Sequence, residues 1–344
     1  MGTKLGDIIQ AETISLGELS GKKIAIDAFN TLYQFLSSIR QPDGTPLKDR
    51  KGRVTSHLTG MFYRNLNLLE NGILPVYVFD GKAPKLKAKE VERRREIREA
   101  ARKEWQLAKE EGRIEDARKA GQASSRLTKP MIEESKDILR ALGIPVIQAP
   151  SEGEALAAQM ARENLVWASA SQDNDSLLYN CPRMIRNLSI TGRRKVARSK
   201  TRKPVYPEVI DLDLNLRLLD ITREQLIDIA IMIGTDYNDK IPGVGPKTAI
   251  KLIKQYGTLE KILSEKQYDV DIPYNEIREI FMNPSDTKIP TLQWNDPNHE
   301  TLKRILCKEH DFSESRITSA LERLEKALEE LRGSTQQSSL DDFF

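Results

Sequence analysis

Three apolar runs in this chain lead into acids. Lys22 to Asp27 (KKIAID) and Pro75 to Asp80 (PVYVFD) read as buried strands that stop on an aspartate, and Leu165 to Ala170 reads as a third, with Asp173 and Asp175 just past its end. Between these runs the apolar spacing becomes helical. It predicts helices from about Ala28 to Ile39 and from Ser56 to Glu70, separated by the turn-rich QPDGTPLKDRKGR. Thr128 opens a helix ending near Leu142, with Gly143 past its end and Pro145 beyond. Ile221 to Asp236 is an apolar helix, and Ser313 to Arg332 carries Ile317, Leu321, Leu324, Leu328 and Leu331 on one stripe, which reads as packed core. Strands alternating with helices predict an α/β fold: a mainly parallel central sheet with helices on both faces. Ligands of such sheets gather outside the carboxyl ends of the strands, so Asp27, Asp80, Asp173 and Asp175 are expected at one edge. One acid after a strand is common, but three such strands in succession are much less so.

A second acidic couple, Glu152 and Glu154, lies where the Ser/Glu/Gly cluster after Pro150 starts the helix EALAAQMARE. Each couple has i, i+2 spacing, which shares a side of an extended chain but not of a helix. Carboxylates drawn together repel one another unless cations sit among them, and hard divalent ions take oxygen ligands of this kind. For either couple alone, the competing reading is a solvated acidic loop.

The charge is uneven, which matters more than its sum of +3 over 344 residues. Lys85 to Lys103 holds nine basic and four acidic residues with no apolar stripe wide enough for a core. Glu90–Arg94 and Glu99–Lys103 have the i, i+4 order of an exposed, salt-bridged helix. Its place directly after Asp80 favours a mobile basic arch over the acidic edge, able to grip phosphates. Arg193 to Lys203 is a second basic run, read equally well as a solvated loop or as another contact to a polyanion. In IPGVGPKTA, Ile241 to Ala249, two glycines one residue apart permit a tight turn into a helix, the helix-hairpin-helix pattern that grips a nucleic-acid backbone without reading bases. It lacks Walker-loop spacing. Cys181 and Cys307 have no CxxC neighbour, and the scattered His57, His299 and His310 argue against a zinc site. The expectation is an intracellular, cytoplasmic protein without a membrane span or secretion signal. Gly333 to Ser339 reads as a disordered linker, and the end, QSSLDDFF, sets Leu340, Phe343 and Phe344 on a polar tail as a partner-docking peptide.

Taken in order, these segments resemble the XPG family of structure-specific nucleases, in particular its flap endonucleases of archaeal type. IAIDAFNTLYQFL resembles the first acidic motif, VFDGKAPKLK the second, EGEA and QDND the internal region, GTDYNDKIPGVGPKTA the last acid and hairpin, and QSSLDDFF a sliding-clamp (PCNA) binding box. SQDNDSLL departs from the usual Thr-Glu-Asp opening of its motif but keeps both aspartates. The chain also stops without the basic tail of eukaryotic members, which weighs against a nuclear protein.

The resemblance implies a PIN-like/XPG nuclease core. Residues 1–105 would form the N-terminal nuclease region, with the arch at about 81–130, and 106–260 the internal region, with the hairpin at 236–256. Residues 261–332 would complete the core, and 333–344 would be a disordered tail with the clamp box. It implies two Mg²⁺, with Mn²⁺ able to substitute. Asp27, Asp80, Glu152 and Glu154 would hold one ion, and Asp173 and Asp175 the other, with Asp236 reaching it directly or through water. Lys87 and Arg94 would contact the scissile phosphate, making them and Asp175 the catalytic set. Tyr33 would stack on a base, while Gly243, Gly245 and Lys247 would bind duplex beside a monovalent cation such as K⁺. The amino end is expected near the active site. The implied partners are branched DNA with a 5′ flap and a sliding clamp, docked through Gln337, Leu340, Phe343 and Phe344; away from the clamp the chain would be a monomer. The implied activity is 5′ flap cleavage with 5′–3′ exonuclease activity, in Okazaki-fragment maturation and base excision repair, leaving a ligatable nick. A sibling preferring other junctions and a non-cutting junction binder are the rival readings.

Overall fold

The computed structural model describes residues 3–188, 193–195, 202–268, 270–284 and 286–341, with backbone alone at 193–195, 202–204 and 333–341. In chain order the elements are β1 (Glu12–Thr13), β2 (Lys23–Asp27), α1 (Ala28–Ser38), α2 (Ser56–Glu70), β3 (Leu74–Phe79), α3 (Ala88–Glu110), α4 (Ile114–Ala123), α5 (Lys129–Ala141), β4 (Val146–Gln148), α6 (Gly153–Arg162) and β5 (Ala168–Ala170). There follow α7 (Asp175–Leu178), β6 (Arg183–Arg186), β7 (Arg193–Lys195), β8 (Arg202–Pro204), β9 (Glu208–Asp211), α8 (Leu212–Leu219), α9 (Arg223–Ile233), α10 (Pro246–Tyr256), α11 (Leu259–Lys266), α12 (Tyr274–Met282), α13 (His299–Lys303) and α14 (Glu314–Asp341).

Seven strands form one sheet in the order β1-β9-β6-β5-β2-β3-β4. The inner pairs β6–β5, β5–β2, β2–β3 and β3–β4 are parallel, while β9 runs antiparallel to both β6 and β1. The period of two in a pleated strand sorts the side chains between two cores. Ala25, Val76 and Val78 pack with α6, α9 and α10 on one face; Ile24, Ile26, Tyr77 and Phe79 pack with α1, α2, α5 and α14 on the other. From β2 the chain moves outward through β3 and β4, then returns to place β5 on the other side of β2. That reversal opens a crevice at the carboxyl ends of β2 and β5.

The predicted helix Ser56–Glu70 has the same bounds in the structure. Thr128 precedes α5, and Gly143 past its end has φ +74°. The third predicted strand is shorter than Leu165–Ala170, because α6 closes through Asn164 at φ 57° and the strand begins only at Ala168. β1, β4, β6 and β9 were not expected; β6 and β9 read RMIR and EVID, too short and too charged to stand out as apolar runs. The second basic run contributes β7 and β8, an antiparallel pair, while residues 196–201 lie outside the described residues. At the other end the predicted disordered linker differs from the structure. The backbone of 333–341 continues α14, since Ser, Thr and Gln carry only modest helix penalties and no proline interrupts them.

The basic segment forms the helical hairpin α3–α4, and Ala108 is the only buried residue of α3. Its foot is docked on the loop after α1. Trp105 donates its indole N–H to the Asp43 carbonyl (3.1 Å), and Lys109 pairs with the Asp43 carboxylate (2.9 Å). Gly44, at φ +79°, lies so close to α4 that a Cβ there would sit 2.6 Å from the Ala117 carbonyl oxygen.

Candidate active site

The seven acids singled out in the sequence converge at the crevice. Asp27 ends β2 and caps α1, accepting from the Asn30 N–H (2.9 Å). The Asn30 side chain then donates to Asp173 Oδ2 (3.0 Å), linking the ends of β2 and β5. Asp80, after β3, accepts from the Gly153 N–H (2.7 Å), which draws it between the two glutamates that flank Gly153. Glu152 is the extended residue before α6 and Glu154 lies in its first turn, so the i, i+2 couple straddles a helix start and both acids reach one place. Asp173 and Asp175 lie on either side of Asn174, the residue before α7, with Asp175 in the first turn of that helix. Ser171 donates to Glu154 Oε1 (3.1 Å) and accepts from the Asp173 N–H (3.1 Å).

Asp27, Glu152 and Asp175 are buried; the other four acids are half-buried. Burial and the neighbouring Asp80 raise the Asp27 carboxyl to about 8. Burial and Asp236 raise Asp175 to about 6. Burial raises Asp80 and Glu152, and burial with Asp175 and Asp27 nearby lifts Glu154 well above the ordinary carboxylate range. Desolvation and like-charge repulsion each disfavour the ionised form, and here they act together.

Two cations from the arch enter the basin. Lys87 Nζ lies 2.5 Å from Glu152 and 3.1 Å from Asp236, and Arg94 lies 2.5 Å from Asp236 and 2.7 Å from Glu90. Burial alone would lower Lys87, but Glu152 and Asp236 hold it above its ordinary value. Seven carboxylates against these two cations leave a formal excess of five negative charges if all ionise. The donor set is therefore of the hard, all-oxygen type that suits Mg²⁺ or Mn²⁺. Among the described residues no three acids already surround a common point as a closed cage. The arrangement is an open basin in which the Lys87 ammonium occupies the cationic place between Glu152 and Asp236.

Sequence reasoning missed four neighbours. Asn30 and Ser171 orient acids as described. The Arg98 guanidinium covers the Tyr33 ring on α1, 5.2 Å from its centre. Thr3 donates to Asp175 from both its N–H (2.9 Å) and its hydroxyl (2.6 Å), which puts the start of the described chain at the basin. In the hairpin, Gly243 has φ +78°, Gly245 precedes α10 without a side-chain cap, and both have open space beside them. Phe343 and Phe344 lie outside the described residues, and Gln337 and Leu340 are described only as helical backbone.

The XPG N-terminal domain model matches residues 3–101 and the XPG I-region model residues 143–236, between them spanning all seven acids. The chain is 50% identical to flap endonuclease 1 of Saccharolobus solfataricus over 99% of both chains, and 51% identical to that of Pyrococcus furiosus over 100% of this chain and 99% of the relative. It belongs to the flap endonuclease family. The flap endonuclease-1 structure from Methanococcus jannaschii superimposes with a TM-score of 0.75 at 41% identity, covering 96% of this chain and 99% of that one. The catalytic core of Rad2 in complex with DNA substrate gives 0.70 at 25% identity, over 94% of this chain and 100% of that one. Flap endonucleases are metal-dependent nucleases acting on DNA, and the oxygen-rich basin fits that dependence. No helix among the described residues is long and apolar enough to cross a membrane.

Proposed function

We propose that this chain cuts DNA at the junction between duplex and a 5′ single-stranded flap, by hydrolysis of one phosphodiester bond, leaving a 5′-phosphate, a 3′-hydroxyl and a ligatable nick. The observation that carries this reading is the convergence of seven acids, drawn from five separated segments, at the carboxyl edge of one sheet. Asp27, Asp80, Glu152 and Glu154 would hold one Mg²⁺ and Asp173, Asp175 and Asp236 a second, with Mn²⁺ able to substitute. When bound, such a pair supplies an attacking water of lowered pKa and neutralises the leaving oxygen.

The rest of the reaction falls to the chain. Lys87 and Arg94 leave their carboxylate partners for the scissile phosphate and face the charge that grows on it. Their spacing supports this, because seven residues along the start of α3 put both on one side of it. Tyr33 gives a flat surface for the base beside the cut, with Arg98 yielding its place over the ring. Gly243, Gly245 and Lys247 hold the duplex backbone through the uncapped N–H groups of α10, beside a monovalent cation such as K⁺. Selection then rests on junction shape rather than base sequence.

Labelled 5′-flap DNA tests the reading. Mg²⁺ should give cleavage at the junction and EDTA none, with slower cutting of bubbles, four-way junctions and blunt ends. Binding without turnover would identify a junction binder instead. The 5′–3′ exonuclease activity follows from the same site acting at a nick or end, and the setting it suits is Okazaki-fragment maturation and base excision repair. The QSSLDDFF terminus supports docking to a sliding clamp of the PCNA type by a chain that is otherwise a monomer. Phe343→Ala with Phe344→Ala should leave basal cleavage intact and bring the ratio of clamp-stimulated to basal cleavage down to one.

A further inference from the structure

Glu152 and Asp236 have arch cations beside them, whereas among the described residues no basic side chain pairs with Asp27, Asp80, Glu154 or Asp175. Of these four, Asp175 is the one with two donors from a single residue on one oxygen. Its neighbours Asp236 and Asp173 both repel it. What it has is Thr3, 172 positions away, whose N–H and hydroxyl both donate to Oδ1. Thr3 is 2% exposed, and its carbonyl is gripped in return by the side-chain amide of Asn174 (3.1 Å). The arm that carries Thr3 is itself anchored. Leu5 is fully buried, Ile9 packs in the same core, and Gln10 exchanges two hydrogen bonds with the Asn215 side chain (2.7 and 3.0 Å). The two donors therefore stand in a place set by the core rather than by a loose terminus.

We infer that Thr3 is a positioning residue for the nuclease reaction: it pins one oxygen of Asp175 so that the other is turned into the basin as a cation ligand. The inference rests on the metal-ligand reading of the basin given above. A carboxylate pressed by like charges and lacking a cation of its own rotates away unless neutral donors hold it. Two donors on one oxygen fix its rotation as well as its place. Groups that orient a metal ligand in this way typically matter about 10–100-fold for metal affinity.

The test compares the full chain with Thr3→Val, which keeps shape and N–H but loses the hydroxyl, with Thr3→Ser, which restores it, and with Asp175→Ala. Binding of Mn²⁺ to the DNA-free protein is followed by electron paramagnetic resonance, and cleavage of a labelled flap is followed across Mg²⁺ concentration. Thr3→Val should weaken Mn²⁺ binding and raise the Mg²⁺ needed for half-maximal cleavage by about tenfold, with KM for the flap unchanged. Thr3→Ser should return both to wild type. Mn²⁺ binding by Thr3→Val equal to wild type, or a loss that Thr3→Ser does not repair, would overturn the proposal. If Asp175→Ala itself binds Mn²⁺ and cuts like wild type, the ligand reading falls and this inference with it. A crippled Asp175→Ala beside an unaffected Thr3→Val removes the inference alone. Melting curves of all three variants in EDTA separate misfolding from a weakened metal site, because a misfolded variant melts below wild type without metal and a variant with only a weakened site does not.

Discussion

The basin and the arch are both dense in charge, yet they handle it in opposite ways. Along α3 and α4 most charges are exposed, and several pair with one another. Arg93 and Arg94 pair with Glu90, Arg95 with Glu92 and Glu99, and Arg113 with Glu104, Glu111 and Asp116. Exposed pairs of this kind contribute little to stability and are screened by salt. In the basin, acids outnumber cations, several are buried, and their carboxyls are raised rather than lowered. The difference teaches where binding of a small hard cation belongs. Charge that is self-neutralised and wet needs nothing further, whereas charge that is concentrated and desolvated is unstable until something positive arrives. Lys87 and Arg94 join the two regions, since they belong to the arch and end in the basin.

The sharpest way to break this contrast is to remove an acid on the basin side. Asp175→Ala should bring flap cleavage below detection while flap binding in the absence of metal persists, in a gel-shift beside a cleavage assay. Cleavage near wild type would show that this acid is not needed.

Next in size, Arg94→Ala should slow cleavage about 100-fold at saturating Mg²⁺, the scale of losing one donor to a transition-state anion, as read in single-turnover kinetics. Smaller again is a thermal effect. Asp27 and Asp175 have folded values of about 8 and about 6 against an ordinary 3.8, so the metal-free folded protein holds protons that the unfolded chain has released. Its stability should therefore fall as pH rises from about 4 through about 8. In EDTA the melting midpoint should drop across that window, and Mg²⁺ should offset most of the drop. The smallest effect belongs to the arch: Arg113→Gln should leave the melting midpoint unchanged, and a clear loss would mean that the arch stores stability after all.

Legibility followed the same divide. Asp27 and Asp80 could be read because each ends an apolar run, and a strand buried on both faces leaves its chain at a known edge. Glu152 and Glu154 stood out as a couple, but a helix start was needed to explain how side chains two apart converge. Asp236 was identifiable only through the GTDY and hairpin motif, since nothing in its local pattern marks a ligand. Asn30 and Ser171 gave no signal at all, and Thr3 none beyond the expected place of the amino end, because their role lies in one or two hydrogen bonds to acids, some more than a hundred positions away. The short strands β1, β6 and β9 escaped for a related reason: they are specified by pairing with the sheet, not by their own composition.

The central claim is that the seven acids form a single cation-binding basin, and a crystal soaked in Mn²⁺ tests it most directly. The account predicts two anomalous peaks about 4 Å apart, the spacing usual for paired-metal nucleases, one against Asp27, Asp80, Glu152 and Glu154 and the other against Asp173, Asp175 and Asp236. A map with no peak inside that rim, or with manganese bound only elsewhere on the protein, would contradict it.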